Sequence, residues 1–151
     1  MVLDIPFRGG MVPLTGCRLQ VREPAALGEA DRMGLVPTVL IVDDHPLFRD
    51  ALEAALGTAF PDGATAQHAS SLAEALSKVK EQRFDLILLD LTLGDTQEFD
   101  GLTRLMAAGP ACPIVVVSAT DASQAFGTAR ALGAAGYLPK SMSMEDLSAA
   151  L

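Results

Sequence analysis

Four apolar residues in a row, Leu86-Ile87-Leu88-Leu89, followed at once by Asp90, restrict this chain more than any other stretch. A short apolar run bounded by polar residues suits a strand buried on both faces. Such strands occur mainly in parallel sheets covered by helices on both sides. Asp90 then stands where the strand leaves the core, and open α/β sheets bind ligands outside the carboxyl ends of their strands. Asp90 also has a plainer reading, as a solvated strand end or turn former. The other apolar runs bear on the choice, because they too end in reactive groups.

Taken in order, those runs alternate with helical patterns. Thr38-Val39-Leu40-Ile41-Val42 reads as a buried strand and leads straight into Asp43-Asp44-His45-Pro46. Pro46 suits the first turn of a helix, where its missing N–H is not needed. That helix is expected to reach about Leu56, with Leu47, Phe48, Ala51, Leu52 and Ala55 on one face and Gly57 as its stop. A weaker strand follows near Ala64 to Ala69. Ser71 and Glu74 form a capping box, each placed to bond the other's backbone N–H, and Leu72, Leu76 and Val79 put that helix on the sheet. After Asp90 comes a polar loop to about Asp100. A short helix marked by Leu102, Leu105 and Met106 then ends at Gly109-Pro110. Ile114-Val115-Val116-Val117-Ser118 is a β-branched strand ending on a hydroxyl. Ala122, Ala125, Phe126, Ala129 and Leu132 form a helical stripe that Gly133 stops. Gly136-Tyr137-Leu138-Pro139-Lys140 is a last strand ending on a lysine, and Ser143 to Leu151 starts a final helix. The order is β-α five times, with connections too short for anything but a five-stranded parallel, doubly wound sheet of the flavodoxin-like type with helices on both faces.

Residues 1–36 read differently. Pro6, Gly9-Gly10, Pro13 and Pro24 punctuate them, with Pro37 just beyond, and no periodicity lasts. A loosely ordered N-terminal extension is expected there, with a short strand between Val12 and Val21 as the alternative, and one domain over 37–151. Met33 offers a second start point just before the first regular strand. A net charge of -8 argues against a surface for phosphate backbones, so this chain by itself is not expected to bind nucleic acid. No apolar run approaches the roughly 18 residues of a membrane span, and the N-terminus lacks the pattern of a signal peptide. Cys17 and Cys112 have no metal-type spacing and suit a reducing cytosol, so a cytoplasmic location is expected.

Four strand ends thus bring Asp43-Asp44, Asp90, Ser118 and Lys140 to one edge of the sheet. Carboxylates about 4 Å apart repel by about 4 kcal/mol at an effective dielectric near 20. A divalent cation removes that cost, and an oxygen-rich site that keeps waters favours Mg²⁺. Such a cation can bridge a phosphoryl group to a carboxylate nucleophile. Lys140 supplies a fixed positive charge for one phosphoryl oxygen and Ser118 a hydroxyl for another. The set reads as a site for covalent phosphorylation of Asp90 as an aspartyl phosphate.

Val42-Asp43-Asp44-His45-Pro46-Leu47-Phe48-Arg49, Asp85 to Leu91, Val117-Ser118-Ala119 and Gly133 to Lys140 together resemble the receiver domain of two-component response regulators. The Asp-Asp-His-Pro form and the Pro-Lys-Ser ending are most similar to the subgroup that carries a C-terminal LuxR-type helix-turn-helix. The resemblance covers about residues 38–151. It implies that Asp43, Asp44 and Asp90 hold Mg²⁺ together with the backbone carbonyl of Thr92. It also implies that a sensor histidine kinase supplies the phosphoryl group and that the chain is not itself an enzyme. Ser118 and Tyr137 would then report phosphorylation to the opposite surface and on to an output, transcription in that subgroup. Two departures stand in the loop after Asp90. Leu93-Gly94 replaces the family's Met-Pro, and Glu98 occupies a position where the family commonly has glycine. The last helix is short and no output domain follows it, as in an excised or a stand-alone receiver.

Plainer readings exist for each residue. Asp43 and Asp44 suit a helix N-terminus electrostatically. Ser118 and Lys140 could be ordinary strand-end and loop residues, and Tyr137 simple packing. His45 beside two aspartates invites a transition-metal reading, but with one His and no Cys nearby a solvent-facing helix-start residue is expected. His68 reads as an ordinary strand residue. The apolar faces of the first and last helices offer a homodimer surface, although core burial accounts for most of them. Two other functions stay open: a phosphohydrolase with an aspartyl nucleophile, and an interaction module that is never phosphorylated. Thr92 counts against the first, because such enzymes usually place a second Asp two residues after the nucleophile.

Overall fold

A computed structural model describes residues 36–119 and 122–151, together with two short N-terminal strands. Those strands, β1 (Asp4–Ile5) and β2 (Val12–Pro13), pair antiparallel. Apart from them and Val36, the expected extension over 1–36 lies outside the described residues, as does Cys17. So do the side chains of 120–124, among them Ala122.

The main body alternates strand and helix five times: β3 (Thr38–Val42), α1 (Pro46–Ala59), β4 (Thr65–Ala69), α2 (Leu72–Glu81), β5 (Leu86–Asp90), α3 (Asp100–Ala107), β6 (Ile114–Ser118), α4 (Ala122–Ala131), β7 (Gly136–Pro139) and α5 (Met144–Ala150). All five strands are parallel, in the order β4-β3-β5-β6-β7. This is the expected flavodoxin-like sheet. The chain steps outward from β3 to β4, then returns past β3 to β5. Strand order therefore reverses between β3 and β5, where crevices open in such sheets.

Side-chain alternation divides the core into two layers. Leu40, Val42, Ile87, Leu89, Ile114 and Val116 face α2, α3 and α4. Val39, Ile41, Leu86, Leu88, Val117 and Leu138 face α1 and α5. Every residue of β5 is buried, which is why its sequence shows no polar alternation.

Helix ends depart from expectation in three places. Gly57 lies inside α1 instead of stopping it. The stop is set by Pro61, which disfavours helical backbone at Phe60; Phe60 takes φ -118° and ψ 85°. Leu47 is 86% exposed, because the buried stripe of α1 runs through Leu52, Ala55 and Leu56 and is centred about 130° around the helix from it. At α2, Ser71 Oγ accepts from Glu74 N at 3.1 Å as expected, but the Glu74 carboxylate accepts from Ser70 N at 2.9 Å, one residue earlier than a capping box would have it. That backbone bond, chiefly, holds the Glu74 carboxyl below its usual range. Gly109 (φ 67°) and Gly133 (φ 102°) end α3 and α4 in the left-handed conformation that glycine adopts without penalty.

Candidate functional site

Asp90 closes the central strand, and its side chain is fully buried. A buried carboxylate must find donors. The backbone N–H and the hydroxyl of Thr92 donate to Oδ1 at 3.0 and 2.9 Å. Lys140 Nζ donates to Oδ2 at 2.9 Å.

Asp43 follows β3, and its N–H extends the ladder by bonding Ala69 O. Its carboxylate is buried as well. Oδ2 accepts from Lys140 Nζ at 2.8 Å, and Oδ1 accepts from His45 N at 2.8 Å. Asp44 is one-third exposed and its Oδ2 accepts from Gly94 N at 3.1 Å. Its Oδ1 is buried and makes no hydrogen bond. The nearest cationic candidate, His45 Nδ1, is 2.8 Å away but not aligned to donate to it.

Lys140 reaches this edge because the register sets Pro139 beside Ser118, and Lys140 N then bonds Ser118 O at 2.8 Å. Its ammonium bridges Asp43 and Asp90 and sits 4.5 Å from the centroid of the Phe48 ring. Desolvation lowers its pKa, but the bonds to Asp43 and Asp90 and their charge outweigh that and hold it above the usual lysine range. Ser118 is fully buried at the end of β6. Tyr137 is buried on β7 within the layer that faces α4.

His45 is the solvent-facing helix-start residue expected, the N-cap of α1, and it also touches the site. Its side chain is 60% exposed, yet Nδ1 turns inward, 2.9 Å from Asp43 Oδ1 and 3.7 Å from Asp90 Oδ2. Its adjacency to Asp43-Asp44 was the signal. Phe48, Gly94 and the loop that carries Gly94 also touch the site. Their roles depend on backbone path, which no spacing rule reports. His68 lies elsewhere, with Nε2 3.0 Å from Glu53 Oε2.

One oxygen or nitrogen from each of Asp43, Asp44, His45 and Asp90 falls within 4.8 Å of the others. Three carboxylates and one ammonium leave two negative charges before the imidazole is counted, which a divalent cation balances. Asp44 Oδ1 is an acceptor without a donor, a condition that costs about 1–3 kcal/mol when buried. An oxygen-rich set of this kind suits Mg²⁺ or Ca²⁺, so the residues fit a hard divalent cation.

Residues 39–151 match the response regulator receiver domain family. The glycerol metabolism activator of Pseudomonas putida is 36% identical over 114 residues, covering 75% of this chain and 51% of that protein. The nitrate/nitrite response regulator NarL of Escherichia coli K12 is 34% identical over 114 residues, covering 76% and 52%. The chain thus spans about half the length of these curated relatives. Among solved structures, a response regulator from Burkholderia pseudomallei with a phosphorylated aspartic acid, calcium ion and citrate superposes with a TM-score of 0.64. It is 27% identical over 76% of this chain and 66% of that one. A CheY-like receiver from Methanospirillum hungatei, at 24% identity and a TM-score of 0.65, covers 75% and 88% and supports the fold. Over residues 39–151 this chain belongs to the response regulator receiver domain family of two-component signalling.

Proposed function

We propose that Asp90 accepts a phosphoryl group from a sensor histidine kinase and that the receiver unit, residues 37–151, relays the change to an output. The observation that carries this reading is the buried Asp90 carboxylate, held between Thr92 and a Lys140 ammonium that it shares with Asp43. An Asp90 oxygen attacks phosphorus, the P–N bond to the kinase histidine breaks, and the departing imidazole nitrogen keeps the electron pair. Asp43, Asp44, Asp90 and the Thr92 carbonyl would hold Mg²⁺, which neutralises phosphoryl charge during transfer. Lys140 pairs with one phosphoryl oxygen and Ser118 donates its hydroxyl to another. Each charge-assisted bond of this kind contributes about 1.5–3 kcal/mol, enough to favour a minor conformer. Ser118 and Tyr137 pass that conformer to the α4 side of the sheet.

The relatives named as an activator and a response regulator support a regulatory output. The output proposed is transcription, through a DNA-binding domain outside this chain, in the cytoplasm. No described helix is long and apolar enough to cross a membrane. A homodimer would use the exposed Leu47 on α1 and Met144 on α5. At the position where a phosphohydrolase would place its second acid, Thr92 instead donates its hydroxyl to Asp90, which favours a receiver over a turnover enzyme.

Incubation with Mg²⁺ and acetyl phosphate tests the reading by intact mass. One phosphoryl adduct per chain is expected, and Asp90→Asn should show none. Continuous release of phosphate would point to the phosphohydrolase, and no adduct on wild type to a module that is never phosphorylated.

A further inference from the structure

The loop after Asp90 holds Asp44 through a backbone bond that a proline at the same position could not make. Gly94 N–H donates to Asp44 Oδ2 at 3.1 Å. Turn geometry does not explain the glycine. Thr96 N bonds Leu93 O at 3.1 Å, so Gly94 is the first central residue of a tight turn, and its φ lies outside the left-handed region. Proline is favoured at that turn position. Nor does crowding explain it, because an added Cβ would meet Asp44 Oδ2 at 3.6 Å, an ordinary contact. What glycine keeps and proline loses is the N–H.

The turn is itself anchored. The Asp95 carboxylate accepts from Leu72 N at 3.2 and 3.0 Å and lies 3.5 Å from Ala73 N, so it sits on the N-terminus of α2, where a negative charge is favoured. With Oδ2 engaged by Gly94, Asp44 leaves its other oxygen, the buried and unbonded Oδ1, 2.8 Å from Nδ1 of His45, which clusters with Asp43, Asp44 and Asp90. We propose that the Gly94 amide, pinned by Asp95 to α2, is a positioning group that orients Asp44 for the divalent cation before the cation arrives. This rests on the receiver reading above. Hydrogen-bond partners that orient metal ligands typically contribute about 10–100-fold to affinity.

The test compares Mg²⁺ affinity by calorimetry for wild type, Gly94→Ala and Gly94→Pro, each also melted without metal. Gly94→Ala keeps the N–H and should bind within about twofold of wild type. Gly94→Pro removes the donor and sets a ring carbon against Asp44. It should bind about tenfold more weakly, the low end of that range, while melting no earlier than Gly94→Ala. Equal affinity in Gly94→Pro and wild type, or equal weakening in Gly94→Ala and Gly94→Pro, would overturn the assignment. A second measurement needs no proline. In metal-free wild type the Gly94 amide proton should resonate downfield and lose that shift in Asp44→Ala; an unchanged shift would also overturn the assignment. Wild type that binds no Mg²⁺ at all would instead sink the receiver reading on which the proposal rests.

Discussion

Glu98 is the one non-glycine residue with a left-handed backbone among the described residues, at φ 39°. Asp100 N bonds Gln97 O at 2.9 Å, so Glu98 is the first central residue of a turn leading into α3. That is a conformation in which a Cβ costs roughly 1–2 kcal/mol. A glycine, which the receiver resemblance implies here, would take this backbone without that cost, and the sequence showed the departure without showing its cost. Glu98→Gly should stabilise the fold by about 0.5–1 kcal/mol after the added freedom of the unfolded chain is subtracted. Urea denaturation checks this, and a loss of stability would mean that the Glu98 side chain contributes more than its backbone costs. A second residue with a pH signature is Cys112, where burial, and then the Asp85 carboxylate, push the thiol up to about 11 from an ordinary 9.0. Between those values the unfolded thiol is ionised and the folded one is not. The folded state then holds more protons, so stability falls as pH rises from about 9 to 11. Denaturation at several pH values should show that decline in wild type and a shallower one in Cys112→Ala.

The strands were legible in the sequence because burial on both faces leaves an apolar run only one reading. β5 and β6 lie where Leu86 to Asp90 and Ile114 to Ser118 predict them. Reactive residues at strand ends were legible for the same reason, since a parallel sheet carries every carboxyl end to one edge. Helices were less legible. One face of α1 is solvated, and Leu47 fits an apolar stripe in sequence while lying outside it in space. Gly57 looked like a stop because glycine so often is one, yet Pro61 decides where α1 ends. The consequence is measurable. Gly57 is exposed inside a helix, and nothing lies within 4 Å of where its Cβ would be. Gly57→Ala should therefore stabilise the domain by about 0.5–1 kcal/mol, read as a rise in thermal midpoint. No rise would mean that α1 frays before Gly57.

At the scale of the whole molecule, two apolar layers clamp a sheet whose strand order reverses beside Asp90, and the topology alone puts three aspartates and a lysine together. Three carboxylates in one crevice raise the energy of the metal-free state, and Lys140 offsets part of that by bonding two of them. Under the proposed function Asp90 alone is the nucleophile. Asp43 and Asp90 each have both oxygens bonded to groups of their own chain, and Asp44 is turned toward Gly94; what sets Asp90 apart is that it ends the central strand, beside the reversal of strand order. Locating the phosphoryl group tests this most directly. Borohydride reduction of the protein after treatment with Mg²⁺ and acetyl phosphate converts an aspartyl phosphate to homoserine, which peptide mass mapping can place. The account predicts homoserine at position 90 and nowhere else; homoserine at 43 or 44, or none in a protein that binds Mg²⁺, would contradict it.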